Sequence, residues 1–199
     1  MPESLSGNNN PHTELAKAAI RAYVERGEVA AINADGSISV NGESGAGGNI
    51  DYSPLLNDRA GVFVSIKKTG ALRGCIGTIS PIRDNLAEEI VDNAISACSR
   101  DPRFEPVTPD ELCDLSISVD VLSEAEPIES IHELDVIRYG VIVSKGRRRG
   151  LLLPNLEGVD TVEEQVRIAL SKAGIHPSER YSMERFKVVR HEPGGSKGV

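Results

Sequence analysis

The stretch from Val62 to Ser99 constrains the fold most, because its hydrophobic pattern changes period partway along. In "GVFVSIKK", Val62, Val64 and Ile66 alternate with Phe63, Ser65 and Lys67, the period-two pattern of a half-buried strand. A turn at Thr69-Gly70 leads into a second strand carrying "LRGCIG", so the two are expected to form a hairpin. Beyond Pro81 the period becomes helical. Leu86, Ile90, Val91, Ala94, Ile95 and Cys98 fall on one stripe, with Asn85 and Glu88 spaced as a capping pair. A hairpin followed at once by an amphipathic helix predicts a sheet with that helix packed on one face.

The rest of the chain fits an α+β plan of antiparallel or mixed sheets with flanking helices, since strands and helices do not alternate regularly. Residues 1–12 and 193–199 read as disordered tails. Leu15, Ala19, Ala22 and Tyr23 predict a helix over Thr13–Arg26, stopped by Gly27. A short hairpin is expected around Asp35-Gly36, followed by a flexible Gly-rich loop, "GESGAGGNID". The proline-punctuated "SRDPRFEPVTPDEL" leads to a helix start at Thr108-Pro109-Asp110-Glu111, and "DLSISVDVL" alternates as a strand. "SEAEPIESIHEL" reads as an acidic linker, "YGVIVSKGRRRGLLLPNL" as a hairpin with a basic tip at Lys145–Arg149, "DTVEEQVRIALSKAG" as a capped helix, and "ERFKVVRHE" as one last strand.

Charge narrows the function classes. The 199 residues carry a net charge of -8, against the positive excess usual in nucleic-acid binders. No apolar run is long enough to span a bilayer, and "MPESLSGNNNPHTE" lacks the basic and apolar regions of a signal peptide, so a cytoplasmic protein is expected. Cys75, Cys98 and Cys113 have wide, irregular spacing and read as reduced thiols, with Cys98 and Cys113 on apolar stripes as structural residues. The four histidines are scattered without metal-ligand spacing, and neither metal nor cofactor is expected.

"LRGCIG" at Leu72–Gly77, "DPRF" at Asp101–Phe104, "TPDEL" at Thr108–Leu112 and "RRGLLLP" at Arg148–Pro154 occur in an order and spacing that resemble the AMMECR domain family, whose prokaryotic members are called AmmeMemoRadiSam system protein A. The resemblance covers residues 13–192. It implies a larger part over about 13–122, a smaller part over about 123–192, and a cleft between them. It also implies partners, a Memo-type dioxygenase-like protein and a radical-SAM protein. The family has no settled activity, so the reaction must be sought in the residues.

Strand alternation puts Leu72, Gly74, Ile76 and Thr78 on one face and Arg73, Cys75, Gly77 and Ile79 on the other. Leu72 and Ile76 are then core residues. Arg73 and Cys75 would lie about 6.5 to 7 Å apart along the strand, close enough for the guanidinium to favour a thiolate. The functional reading is a small pocket floored by Arg73, Cys75 and Gly77, with Arg73 holding an anion and Cys75 acting as nucleophile or redox group. The opposing reading makes Cys75 a small packed hydrophobe and has Gly74 and Gly77 admit a helix. In the "DPRF" loop, Asp101 and Arg103 either bind a ligand or pin the loop while Phe104 plugs the core. Arg148 and Arg149 are candidates for pointing into the implied cleft.

Three functions follow. The first is an enzyme, or component of an enzyme system, binding a small anionic molecule along the "LRGCIG" strand through Arg73, Gly74, Gly77, Asp101, Arg103, Arg148 and Arg149. The alternative is a non-catalytic scaffold for the Memo-type or radical-SAM partner. Nucleic-acid binding through Arg147–Arg149 stands last, because no aromatic residue accompanies that tip.

Overall fold

A computed structural model describes residues 10–40, 43–44, 50–193 and 195–198. Helix α1 (Pro11–Arg26) starts at Asn10, whose side chain accepts from the His12 N–H, and stops at Gly27 in the left-handed conformation. Pro11 and His12 are thus helical. The remaining residues of the expected N-terminal tail lie outside the described residues. Strands β1 (Ala30–Ile32), β2 (Ile38–Val40) and β3 (Glu43–Ser44) form a three-stranded sheet. Of the expected Gly-rich loop, Glu43–Ser44 is strand and residues 45–49 lie outside the described residues.

Strands β4 (Val62–Lys68) and β5 (Ala71–Gly77) form the expected hairpin, turned by Thr69 and Gly70 at positive φ. Helix α2 (Leu86–Ser99) follows, with the Asn85 side chain accepting from the Glu88 N–H. The "TPDEL" segment is a 3-10 helix, Pro109–Asp114, closed by a capping box between Thr108 and Glu111. Strand β6 (Leu115–Leu122) comes next, and the stretch expected to be a linker contains β7 (Glu126–Ile128). Ladder bonds to the strand over Ser182–Phe186 hold β7 in spite of its proline, an edge position that tolerates a missing donor. Then come β8 (Gly140–Lys145), β9 (Arg148–Leu152), α3 (Val162–Ala173), β10 (Ser182–Phe186), β11 (Val188–Glu192) and β12 (Gly195–Gly198). The single strand expected over "ERFKVVRHE" is two strands, which pair in different sheets. Strand β12 lies in the stretch read from sequence as a tail.

The fold is α+β, and the chain divides into two compact units. The first comprises residues 1–121 and 190–197. Its five-stranded sheet runs β12-β11-β6-β4-β5, so β5 is an edge. Val62, Val64, Ile66, Ile117 and Val119 point from this sheet into a core shared with Leu15, Ile20, Ile90, Ala94 and Ile95 of the helices. The second unit comprises residues 122–189 and 198–199, with a sheet ordered β7-β10-β8-β9. Helix α3 covers it through Val166, Ala169 and Leu170 against Val141, Val143 and Leu152.

Candidate functional site

The register of β5 decides what its motif can do. Gly77, Ile76, Cys75 and Gly74 oppose Phe63, Val64, Ser65 and Ile66 in turn, and then the register shifts, so that Leu72 opposes Lys67. Arg73 is the extra residue of a β-bulge. The bulge cancels the predicted alternation on its N-terminal side: Leu72 is 43% exposed rather than a core residue. From Gly74 onward the alternation holds. Gly74 faces α2, where a Cβ would collide with the Ala97 carbonyl oxygen, so its missing side chain lets helix and strand backbones approach.

The opposite face carries two rows across adjacent strands. Cys75 opposes Ser65, which opposes Ser118; Gly77 opposes Phe63, which opposes Asp120. The Phe63 ring lies where a Cβ on Gly77 would be. The Ser65 hydroxyl donates to the Cys75 sulfur at 3.2 Å. Asp120 is almost fully buried and accepts from Arg190 twice, Oδ1 from Nε at 2.7 Å and Oδ2 from Nη2 at 2.8 Å. That bidentate pair raises Arg190 above the ordinary guanidinium range.

The "DPRF" loop closes the outer edge of β5. The Cys75 N–H donates to Asp101 Oδ2 at 2.9 Å, and Arg103 Nη2 donates to the Cys75 carbonyl at 3.3 Å, so one donor and one acceptor of the edge are matched. Arg103 also grips Asp101 directly, Nε to Oδ1 at 2.9 Å and Nη2 to Oδ2 at 2.7 Å. This grip, joined by the N–H groups of Cys75 and Arg103, holds the Asp101 carboxyl well below the usual carboxylate range. The Asp101 hydrogen bonds raise Arg103 above the ordinary guanidinium range. Phe104 does not plug the core. It is half-buried beneath Arg103, whose guanidinium carbon is 5.4 Å from the ring centroid, and Val107 enters the core instead.

Arg73 points to other partners. Its Nε and Nη2 hold Glu111 at 3.0 and 2.8 Å, its Nη1 donates to the Glu105 carbonyl at 2.8 Å, and Nη2 also reaches the Pro106 carbonyl at 3.3 Å. Lys68 and the Thr108 N–H complete the shell around Glu111, at 3.0 and 3.1 Å. The Arg73 hydrogen bonds hold the Glu111 carboxyl well below its ordinary range. Four of its five N–H donors are used in this way, and Arg73 acts as a staple between the bulge and the 105–111 segment.

Arg148 and Arg149 belong to the second unit. Arg148 donates to the Gly174 carbonyl at 2.6 Å and to both oxygens of Glu179, which Lys145 also holds at 2.6 Å. Arg149 pairs with Glu184 at 3.1 Å. Cys98 is buried, which pushes its thiol up to about 11, whereas Cys113 is exposed on the 3-10 helix and not on an apolar stripe as expected. Among the described residues no group of three or more His, Cys, Asp or Glu side chains could hold a metal ion. No helix among them is long and apolar enough to cross a membrane.

Sequence reasoning missed Ser65, Ser118, Asp120 and Arg190. The signal was present in "SISVD", whose polar positions share one face with Ser65, but the partner strand bearing Arg190 lies 70 residues further along the chain from Asp120.

The AMMECR1 family profile matches residues 13–192. A Thermotoga maritima protein is 50% identical over 185 residues, covering 89% of this chain and 98% of its own length. A Clostridium acetobutylicum protein is 48% identical over 190 residues, and the chain spans only 37% of that relative's length. The solved structure of the uncharacterized protein PH0010 from Pyrococcus horikoshii superposes with a TM-score of 0.75 at 31% identity, covering 94% of each chain. With that profile matched along nearly the whole sequence, the chain belongs to the AMMECR1 family.

Proposed function

We propose that the sheet face bearing Cys75, Ser65 and Ser118 binds a small anionic ligand between Arg103 and Arg190. One observation carries this reading: Arg103, from the loop at the β5 edge and bonded to the Cys75 carbonyl, and Arg190, from β11 and bonded to Asp120 on the same sheet face, flank the row of Cys75, Ser65 and Ser118. Each holds its carboxylate through Nε and Nη2 and leaves Nη1 without a hydrogen bond to any described residue. A carboxylate or phosphate above the sulfur would meet both Nη1 groups and the Ser118 hydroxyl, while Asp101 and Asp120 keep the arginines in place. Arg73, Arg148 and Arg149 take no part. Gly77 contributes by leaving the space that the Phe63 ring occupies, and Gly74 by seating the strand on α2.

Cys75 is the nucleophile for a carbonyl in such a ligand, but no free base accompanies it among the described residues. Asp101 is clamped by Arg103 and held ionised, and Asp120 is clamped by Arg190. The proton acceptor has to arrive with the ligand or with a partner, which favours a component of an enzyme system over a self-sufficient enzyme. That is also the role implied by the resemblance to AmmeMemoRadiSam system protein A, with Memo-type and radical-SAM partners. Calorimetric titration with phosphate and with pyruvate tests the binding step. The reading requires saturable binding that falls at least tenfold in Arg103→Ala and in Arg190→Ala; no binding of either anion, or binding unaffected by both substitutions, contradicts it.

A further inference from the structure

Between β1 and α2 the first unit holds a groove of about 400 Å³, whose lining includes Tyr23, Val29, Ile32, Val91, Ile95 and Arg100. Strand β1 is the end strand of its sheet. Its pairing with β2 shows which backbone groups are in use. The Asn33 N–H donates to the Ser37 carbonyl at 2.8 Å, and the register continues as Ile32 opposite Ile38, Ala31 opposite Ser39 and Ala30 opposite Val40. Antiparallel alternation then turns the N–H and C=O of Ala31 towards β2, and those of Ala30 and Ile32 away from it. Ala30 and Ile32 both line the groove, and no hydrogen bond among the described residues uses their outward groups.

The side chains add two constraints. Val29 is 59% exposed, so the strand presents apolar surface beside its unpaired edge. The charged lining is Arg83, Glu88 and Asp92 towards the start of α2 and Arg100 at its end. Arg83 is bound to Asp92 at 2.8 Å, while Arg100 is exposed and has no side-chain hydrogen bond or ion pair among the described residues. A helix in the groove would leave the outward groups of Ala30 and Ile32 unmatched, whereas an extended main chain matches them. The 14 residues of α2 span about 21 Å, room for about six extended residues.

We infer that this groove receives an extended segment of a partner protein, which adds a strand to β1, sets alternate apolar side chains against Val29, Ile32, Val91 and Ile95, and places a carboxylate at Arg100. The interaction is independent of the Cys75 face. The main-chain bonds supply affinity, and Arg100, unpaired among the described residues, selects an acidic residue at one end.

Panning phage-displayed random dodecapeptides on the full chain, followed by synthesis of the enriched sequences, tests the inference. The expected consensus has apolar residues at alternate positions and an Asp or Glu at one end. Binding slows hydrogen exchange of the Ile32 amide at least tenfold. Ile32→Pro, which removes an outward donor and leaves the β2 ladder intact, weakens binding more than tenfold. Arg100→Glu weakens it by a similar factor and is rescued by a Lys-for-Glu peptide. Because Arg100 is exposed and the exchange measurement uses the unaltered protein, the test survives a folding defect in the proline variant. Enrichment of no peptide, binding that leaves Ile32 exchange unchanged, or concentration-dependent dimers that Ile32→Pro dissolves would each overturn the inference, the last by assigning the edge to a second copy of this chain.

Discussion

Removing the Glu111 carboxylate should destabilise the first unit without touching ligand binding. Glu111 is 9% exposed and accepts from Arg73 twice, from Lys68 and from the Thr108 N–H. Glu111→Ala leaves Arg73, whose side chain is 17% exposed, without its charge partner. Breaking a fully buried ion pair costs about 3 to 5 kcal/mol and a surface pair about 0 to 1, so this partly buried bidentate pair should cost about 2 to 3 kcal/mol. For a chain of this size that corresponds to a fall in Tm of roughly 5 to 10 °C. Arg73→Ala should cost a similar amount, and the double variant little more than either, giving a coupling of at least about 1.5 kcal/mol in a double-mutant cycle. Urea unfolding of the four proteins measures it. Additive losses, or an Arg73→Ala protein of unchanged stability that no longer binds phosphate, would show that Arg73 serves the ligand and not the fold.

Three further predictions bear on the same framework. Gly74→Ala should destabilise by about 1 to 3 kcal/mol, because the Ala97 carbonyl is backbone and cannot step aside, and Gly77→Ala, whose Cβ meets the Val62 carbonyl as well as the Phe63 ring, should cost a similar amount in the same unfolding assay. His12 and His191 stack with ring centroids 3.6 Å apart, and burial, with His191 adding, lowers His12 to about 4. A histidine depressed below its unfolded value of 6.5 favours the folded state fully above that pH and loses the contribution as pH falls towards 4; with part of the ring in contact with solvent, about 2 kcal/mol should disappear over that window, and His12→Gln should flatten the profile. Asp101→Asn keeps the acceptor for the Cys75 N–H but weakens the hold on Arg103; thermal melts should show a loss of about 1 to 2 kcal/mol, with greater mobility of Arg103 in side-chain NMR.

Local patterns made most of the fold legible. The helices α1, α2 and α3 carry caps that the sequence spells out at Gly27, at Asn85 with Glu88 and at Thr161 with Gly174. What stayed hidden depended on partners distant in the chain. The β7 strand looks like a linker because its glutamate and proline signal a loop, and only the ladder to β10 makes it a strand. The break at Lys187 cannot be read from "ERFKVVRHE", whose halves are drawn into different sheets. At the candidate site, alternation located Cys75 and Gly77 correctly on one face, but the bulge at Arg73 has no local signature and redirected both Leu72 and Arg73. Arg190 entered through its pairing with Asp120, a contact that depends on β11 lying beside β6.

The most direct test of the central claim is the rate at which iodoacetamide modifies Cys75, followed by peptide mass spectrometry so that exposed Cys113 serves as an internal reference and buried Cys98 as a folding control. Saturating phosphate or pyruvate should slow modification of Cys75 at least fivefold while leaving Cys113 unchanged, and that protection should vanish in Arg103→Ala and Arg190→Ala but persist in Arg73→Ala. Protection that is absent in the unaltered protein, or that depends on Arg73 alone, would contradict the assignment of the anion site to Arg103 and Arg190.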